Sequence, residues 1–239
     1  LEDQKSRQLS QAELADRIAR IGEVRDPLQS LKSQNFSVIA EVKRSSPSKG
    51  ALAEISDPSQ LADLYEAGGA SVISVLTEQR RFGGSLADLD AVRSRIDIPV
   101  LRKDFMVDEY QFFEARAHGA DVILLIVAAL SKSQLRDFFD IATELKMASL
   151  IEVHTADELE RALEIEPRIV GVNSRNLKTL EVDPAAFADL IPRIPSNLIR
   201  VAESGISSRS DVEFAQSAGA GAILVGEALV TSGDPDLAM

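Results

Sequence analysis

Eight short β-branched apolar runs, separated by helix-period segments, set the limits on what this 239-residue chain can fold into. The runs are Ser37–Glu41, Ser71–Leu76, Val100–Leu101, Asp121–Val127, Leu150–Val153, Ile169–Val172, Ile199–Ala202 and Ala222–Val225. Their starts lie roughly 20 to 35 residues apart, the length of a βα unit. No tight hairpin signal joins neighbouring runs, so the pattern predicts a parallel sheet covered by helices.

The segments between the runs carry helix punctuation. Asp57-Pro58 opens one helix, with Asp as N-cap and Pro at the first helical position. Leu61, Leu64 and Tyr65 then keep helical spacing until Gly68-Gly69. Ser131 caps a second, with Leu135, Phe138, Phe139 and Ala142 as its buried face, and Ser207 and Gly219 bracket a third. Gly69, Gly119, Gly219 and Gly221 read as left-handed turns from helix back into strand. Eight units suit a closed barrel of about 250 residues. An open doubly wound sheet would show G-x-G-x-x-G after its first strand. Here Ser45-Ser46-Pro47-Ser48 follows instead, and Gly219-x-Gly221 precedes a strand. The fold class is therefore α/β, a (β/α)8 (TIM) barrel over residues 36–239, with an N-terminal helical extension over 1–35. Within the extension, Gln11–Ile21 reads as an amphipathic helix (Leu14, Ile18, Ile21) that covers one barrel end.

Composition removes several function classes. A formal net charge of −12 opposes binding to nucleic acid or anionic membrane, so neither is an expected partner. Without Cys there is no disulfide, thiolate nucleophile or Cys-ligated metal. Only His118 and His154 are present, so a histidine metal cluster or triad is not expected. Leu1–Ser10 is charged and polar, unlike a signal peptide, and the longest apolar run, Val122–Leu130, is too short to span a membrane.

Active sites of such barrels lie at the C-terminal strand ends. Those ends read Glu41-Val42-Lys43, Lys103-Asp104, Glu152-Val153-His154, Asn173-Ser174-Arg175, Glu203-Ser204-Gly205 and Gly226-Glu227. Side chains alternate along a strand, so Glu41 shares a face with Lys43, Leu101 with Lys103, Leu150 with Glu152 and Val201 with Glu203. Any single one of these charges could be a surface cap. Five in phase point at the barrel axis, where unpaired charge costs several kcal/mol unless it pairs or does chemistry. Carboxylates and ammonium groups in one pocket shift each other's proton affinities, which suits acid–base work. Ser204-Gly205 and Gly226 fit a phosphate site in the loops after strands seven and eight. The loops Arg44–Ile55 and Glu78–Gly84 carry basic residues and glycines and are candidate lids.

Several segments carry a resemblance: "IAEVKRSSPSKG" (Ile39–Gly50), "SVLTEQRRFGGS" (Ser74–Ser85), "PVLRKDFMVDEYQ" (Pro99–Gln111), "LIEVH" (Leu150–His154), "GVNSRNLKTLEVD" (Gly171–Asp183) and "VAESGI" (Val201–Ile206). In order and register, over about residues 36 to 230, they closely resemble the indole-3-glycerol-phosphate synthases. The resemblance implies a carboxy-lyase of tryptophan biosynthesis. Such an enzyme closes the indole ring of 1-(2-carboxyphenylamino)-1-deoxyribulose 5-phosphate, releasing CO2 and water, with no metal or organic cofactor.

By the same resemblance Lys103 is the general acid of ring closure and Glu152 orients or tunes it. Lys43 and Glu41 serve decarboxylation and dehydration. Asn173 and Glu203 make hydroxyl and electrostatic contacts, and Ser46 and Arg175 lie in the substrate pocket. Phe82, Phe105, Leu124 and Leu177 wall the anthranilate ring, with Leu224 counted among the substrate contacts. Ser204, Gly205, Gly226 and Glu227 form the phosphate site, Glu227 through its backbone N–H alone. His154 is expected to be structural, and Asp104 to point into the wall. Which lysine serves which step is left open.

The expected partner is the phosphorylated small-molecule substrate, and the expected location the cytoplasm. A monomer is expected, with association with other tryptophan-pathway enzymes left open. Against the family pattern the chain lacks an initiator Met and stops at Met239 inside the last helix, so both ends are expected to be trimmed. Two rivals stay in view. One is another phosphate-binding barrel, such as the preceding isomerase, whose Cys/Asp or Asp/Asp pair has no counterpart here. The other is a non-catalytic ligand-binding barrel.

Overall fold

In the computed structural model, which describes residues 9–231, eight parallel strands close on themselves. They are β1 (Ser37–Val42), β2 (Val72–Leu76), β3 (Val100–Lys103), β4 (Val122–Ile126), β5 (Ala148–Val153), β6 (Ile169–Asn173), β7 (Ile199–Glu203) and β8 (Ala222–Val225). Each pairs with its sequence neighbour, and β8 returns to β1 with Ser37 opposite Ala222. Every predicted strand is present, with ends displaced by a residue or two. The helices are α1 (Gln11–Ile21), α2 (Pro27–Lys32), α3 (Pro58–Ala67), α4 (Gln79–Phe82), α5 (Leu86–Arg95), α6 (Tyr110–Ala117), α7 (Lys132–Glu144), α8 (Ala156–Leu163), α9 (Ala185–Leu190), α10 (Arg209–Ser217) and α11 (Glu227–Thr231). The expectations for Leu1–Gln8 and for the final residues up to Met239 lie outside the described residues.

Capping chemistry sets the helix starts. The Asp57 side chain accepts from the backbone N–H of Ser59 and Gln60, with Pro58 as the first residue of α3. Ser131 and Gln134 form a reciprocal capping box on α7, where a cap is worth about 1 kcal/mol. Four details differ from the sequence reading. The cap of α10 is Ser208, because its hydroxyl, one residue closer than that of Ser207, accepts from Asp211 N–H. Leu64 is 37% exposed, because Ala62 and Tyr65 face the sheet instead. Gly69, Gly119 and Gly219 take left-handed φ, whereas Gly221 does not, since its N–H is already bonded to the Arg200 carbonyl as the strand begins. Finally, α1 lies on the side of the barrel against α6 and does not cover its end.

The barrel end is closed by α2 instead. Leu31, with Leu28 beside it, joins the inner cluster of Ile39, Val72, Leu101, Val122, Leu150, Ile169 and Val201. Burying such a side chain stabilises by about 1.5–3 kcal/mol. Asp26 caps α2 through Leu28 and Gln29 N–H, and Ser30 Oγ donates to the Ser71 carbonyl. The outer layer of Ala40, Ile73, Val75, Ile123, Leu125, Ile151, Val170 and Ala202 packs against the helices, among them Phe112 and Phe138 with ring centroids 4.9 Å apart. Odd residues of β1 and even residues of β5 thus face the axis, as alternation requires, and the same alternation carries charge inward at the strand tops.

Candidate active site

The upper third of the barrel interior is a cavity of about 1110 Å³. It is lined by Glu41, Lys43, Lys103, Glu152, Asn173 and Glu203, together with all the other residues predicted for substrate and phosphate. The first six come from the tops of five different strands, Glu41 and Lys43 together from β1, so separation along the chain becomes proximity around one axis. Among the described residues no group of three or more His, Cys, Asp and Glu is arranged to hold a metal ion.

Glu41 is the hub. It is 2% exposed, and its two oxygens face two lysines: Lys43 Nζ stands 2.9 Å from Oε1 and Lys103 Nζ 3.6 Å from Oε2. Burial alone would raise the proton affinity of Glu41, but the two ammonium groups outweigh it and hold the carboxyl below the usual range. Burial likewise disfavours the Lys103 cation. Glu41, then Glu152 and Glu203, outweigh that and hold Lys103 above the usual lysine range, so the ammonium is protonated at neutral pH.

Glu203 has the opposite balance. Both its oxygens are buried without a hydrogen-bond donor among the described residues. Burial and the neighbouring Glu152 carboxylate push its proton affinity well above the ordinary value, with Lys103 only partly opposing them. The space for Glu203 comes from β6: a Cβ on Gly171 would overlap Glu203 Oε1. A glycine in mid-strand is therefore required here by close approach, at a cost in strand propensity.

On β6, Asn173 Oδ1 accepts the Arg175 N–H (2.9 Å), and Arg175 Nη1 donates to the Leu180 carbonyl (2.9 Å). Part of the guanidinium is thus tied to its own loop, and the rest borders the cavity. Phe82 and Phe105 form an aromatic wall with ring centroids 6.4 Å apart. Leu124 and Leu224 belong to the inner cluster below it, while Leu177, at 42% exposure, sits at the mouth. Ser46 stands in a two-residue antiparallel hairpin pairing Ser45–Ser46 with Gly50–Ala51 above the mouth.

On the opposite side Ser204 and Gly205 are consecutive left-handed residues (φ 67° and 72°). Such a pair turns successive N–H groups into one concavity, a shape suited to an anion. Ser174 Oγ donates to the Ser204 carbonyl and fixes the turn. Gly226 ends β8, and Glu227 begins α11 with its side chain turned to Lys49 of the hairpin loop in an ion pair.

Some lining residues escaped the sequence reading. Arg81 lies 5.4 Å over the Phe105 ring, in cation–π range, and also borders the cavity, as do Lys49 and Lys178. Their signal was the basic character of the loops, which marks a region without selecting a residue. Asp104 points into the wall, accepting from Thr77 Oγ1 (2.6 Å) and Arg102 Nη2 (3.1 Å), and so anchors the turn that presents Lys103 and Phe105.

Comparison with known proteins adds an independent line. The family model for indole-3-glycerol phosphate synthase matches residues 1–239. The chain is 63% identical over 205 residues to indole-3-glycerol phosphate synthase of Kineococcus radiotolerans, covering 85% of this chain and 74% of that protein. It is 56% identical over 227 residues to indole-3-glycerol phosphate synthase 1 of Streptomyces coelicolor, covering 95% and 84%. Among solved structures, an N-acetylmannosamine-6-phosphate 2-epimerase from Clostridium perfringens superposes with a TM-score of 0.66 over 89% of this chain and 94% of that one. At 13% identity this is a likeness of fold alone. The full-length family match and the identity to these relatives establish that the chain belongs to the indole-3-glycerol phosphate synthase family.

Proposed function

We propose that the chain converts 1-(2-carboxyphenylamino)-1-deoxyribulose 5-phosphate to indole-3-glycerol phosphate, CO2 and water, by general acid–base catalysis at the barrel top. The observation that carries this is the convergence of two ammonium groups on one buried carboxylate, with an aromatic wall on one side and a left-handed backbone turn on the other. The substrate carries a benzoate, a ketone and a phosphate. The lysines with Arg175 offset the negative charges, Phe82 and Phe105 receive the ring, and the N–H groups of Ser204–Gly205 and Gly226–Glu227 receive the phosphate.

Ring closure forms a bond between the carboxylate-bearing ring carbon and the ketone carbon. The oxygen takes a proton to become a hydroxyl, and Lys103, held as an ammonium, is placed to give it. Decarboxylation then breaks the bond to CO2, and the electron pair restores the aromatic ring. Dehydration breaks the C–O bond. An acid supplies the proton that makes the leaving group water, and a base takes a proton from the methylene carbon next to nitrogen. The Lys43–Glu41 pair supplies one acid and one base for these later steps. Glu152 orients Lys103, while Asn173 and Glu203 contact substrate hydroxyls. Ser46, Leu124, Leu177 and Leu224 complete the substrate pocket.

The family match does not favour the isomerase or the non-catalytic barrel. The net charge of −12 supports a monomer with no nucleic-acid or membrane partner, and sedimentation of the purified chain tests the monomer. No described helix is long and apolar enough to cross a membrane. The direct test is turnover of the carboxyphenylamino sugar phosphate, followed by the fluorescence of the indole product. A folded protein that yields no indole overturns the proposal.

A further inference from the structure

Beside Glu152, just outside the cavity lining, a histidine-centred contact continues the chain of charges. His154 is the first residue after β5, two positions beyond Glu152. The His154 Nε2 atom stands 3.4 Å from Glu152 Oε1, and each of the two atoms is buried without a hydrogen-bond partner among the described residues. They are one another's nearest charged partner, slightly beyond ordinary hydrogen-bond length, as catalytic contacts often are before substrate arrives. The other edge of the ring is held. Glu158 Oε2, from the first turn of α8, lies 3.2 Å from His154 Nδ1 and accepts the His154 backbone N–H at 2.7 Å. One carboxylate thus grips both the backbone and the ring, which fixes where Nε2 points.

We infer that His154 is a positioning residue for the reaction, clamped by Glu158 so that its ring holds the Glu152 carboxylate in place between Lys103 and Glu203. The inference deepens the proposed function and rests on it. Residues that line a cavity need support behind them to hold geometry. His154 Nε2 is the charged group that stands nearest this Glu152 oxygen, at 3.4 Å, and without it nothing on that side holds the buried carboxylate in place.

The ring also carries charge. Burial disfavours the imidazolium, but the hydrogen bond that the ring donates to Glu158 and the charges of Glu152 and Glu158 outweigh it, with Lys103 opposing, so His154 titrates above an ordinary histidine. The ionisable groups facing it are Glu152 at the end of β5, Glu158 on α8 and Lys103 on β3, with Glu203 of β7 behind Glu152 and Arg161 of α8 beside Glu158. A positive ring on this side and the Lys103 ammonium on the other hold the Glu152 side chain between them.

The experiment compares His154→Ala, His154→Gln and the wild type. His154→Ala is expected to lower kcat about tenfold, below the roughly 100-fold that a 1 Å misplacement can cost, with little change in KM. Loss of the positive ring removes a favourable neighbour of the pocket's carboxylates, so the acidic limb of the kcat–pH profile moves to higher pH by at least about half a unit. His154→Gln, whose amide N–H reaches toward the Nε2 position, restores kcat to within about threefold of wild type but leaves the limb displaced. A readout independent of turnover uses the fact that the chain has only two histidines. His118 pairs with Asp90 at the far end of α6, so the His154 resonance is assignable by NMR, and its titration midpoint falls in Glu152→Gln. Wild-type rates and profiles in both His154 variants, or a His154 midpoint unmoved by Glu152→Gln, overturn the inference while leaving the proposed function intact. A wild type that makes no indole overturns the function first.

Discussion

The two ends of the barrel treat buried charge in opposite ways. At the lower end Asp121 is fully buried, yet both oxygens are engaged. Oδ1 accepts the Arg25 N–H at 2.8 Å, while Oδ2 accepts the Val100 N–H at 2.9 Å and Arg93 Nη1 at 2.5 Å. Arg25 Nη1 reaches the Ile98 carbonyl, and Arg116 donates to the Gly22 carbonyl. At the upper end the buried carboxylate oxygens Glu41 Oε2, Glu152 Oε1 and both of Glu203 lack hydrogen-bond donors. Among the described residues every such orphaned carboxylate oxygen is at the top. Asp121, a carboxylate that holds structure, finds all its partners within the fold. A charge left short of partners is poised for something that arrives, which is how an active site differs from a structural ion pair of equal burial.

That contrast can be broken from either end. Asp121→Ala leaves Arg93 buried and unpaired, so stability should fall by roughly 3–5 kcal/mol while kcat of the folded fraction is kept. Chemical denaturation beside steady-state turnover checks both halves, and a loss of kcat with stability intact would erase the distinction. Lys103→Ala should do the reverse, lowering turnover by at least about 100-fold with folding preserved. Near-normal turnover would remove Lys103 from its role.

Glu203→Gln sharpens the electrostatic side. Because the folded-state proton affinity of Glu203 is raised, its contribution to stability is complete below the unfolded carboxyl range and is lost as pH rises through the folded value. Replacing it with a neutral isostere removes that loss. The variant should match wild type in acid and exceed it toward neutral pH, by roughly 2–4 °C in Tm for each 1 kcal/mol regained. A variant less stable than wild type at neutral pH would mean that Glu203 is ionised. The smallest effect belongs to the rim: Lys49→Ala breaks an exposed ion pair with Glu227 and should change stability by no more than about 1 kcal/mol. A larger change in the melting curve would make the hairpin loop structural.

Much of this was legible in the residues. Strand parity alone brought Glu41, Lys43, Lys103, Glu152 and Glu203 to one axis, because alternation in a parallel barrel leaves no other inward set. Capping residues located α3 and α7 because the Ser or Asp side chain must lie within reach of the third N–H. What failed depended on tertiary choice. Gln11–Ile21 has a clear apolar stripe, but a stripe does not say which surface it meets, and the plug is the shorter α2, whose Leu31 gives no periodic signal. The contact of Glu158, one helical turn on, with the His154 ring has no sequence signal of its own either.

The pairing of Ser37 with Ala222 has a consequence for how the chain is made. The first strand gains its second neighbour only when the last is available, and Arg25 meets its acceptor 96 residues downstream. During synthesis the growing sheet therefore carries an open edge at β1, and such an edge is a template for pairing with another chain. Pairing of the eighth strand with the first closes the ring and removes that edge.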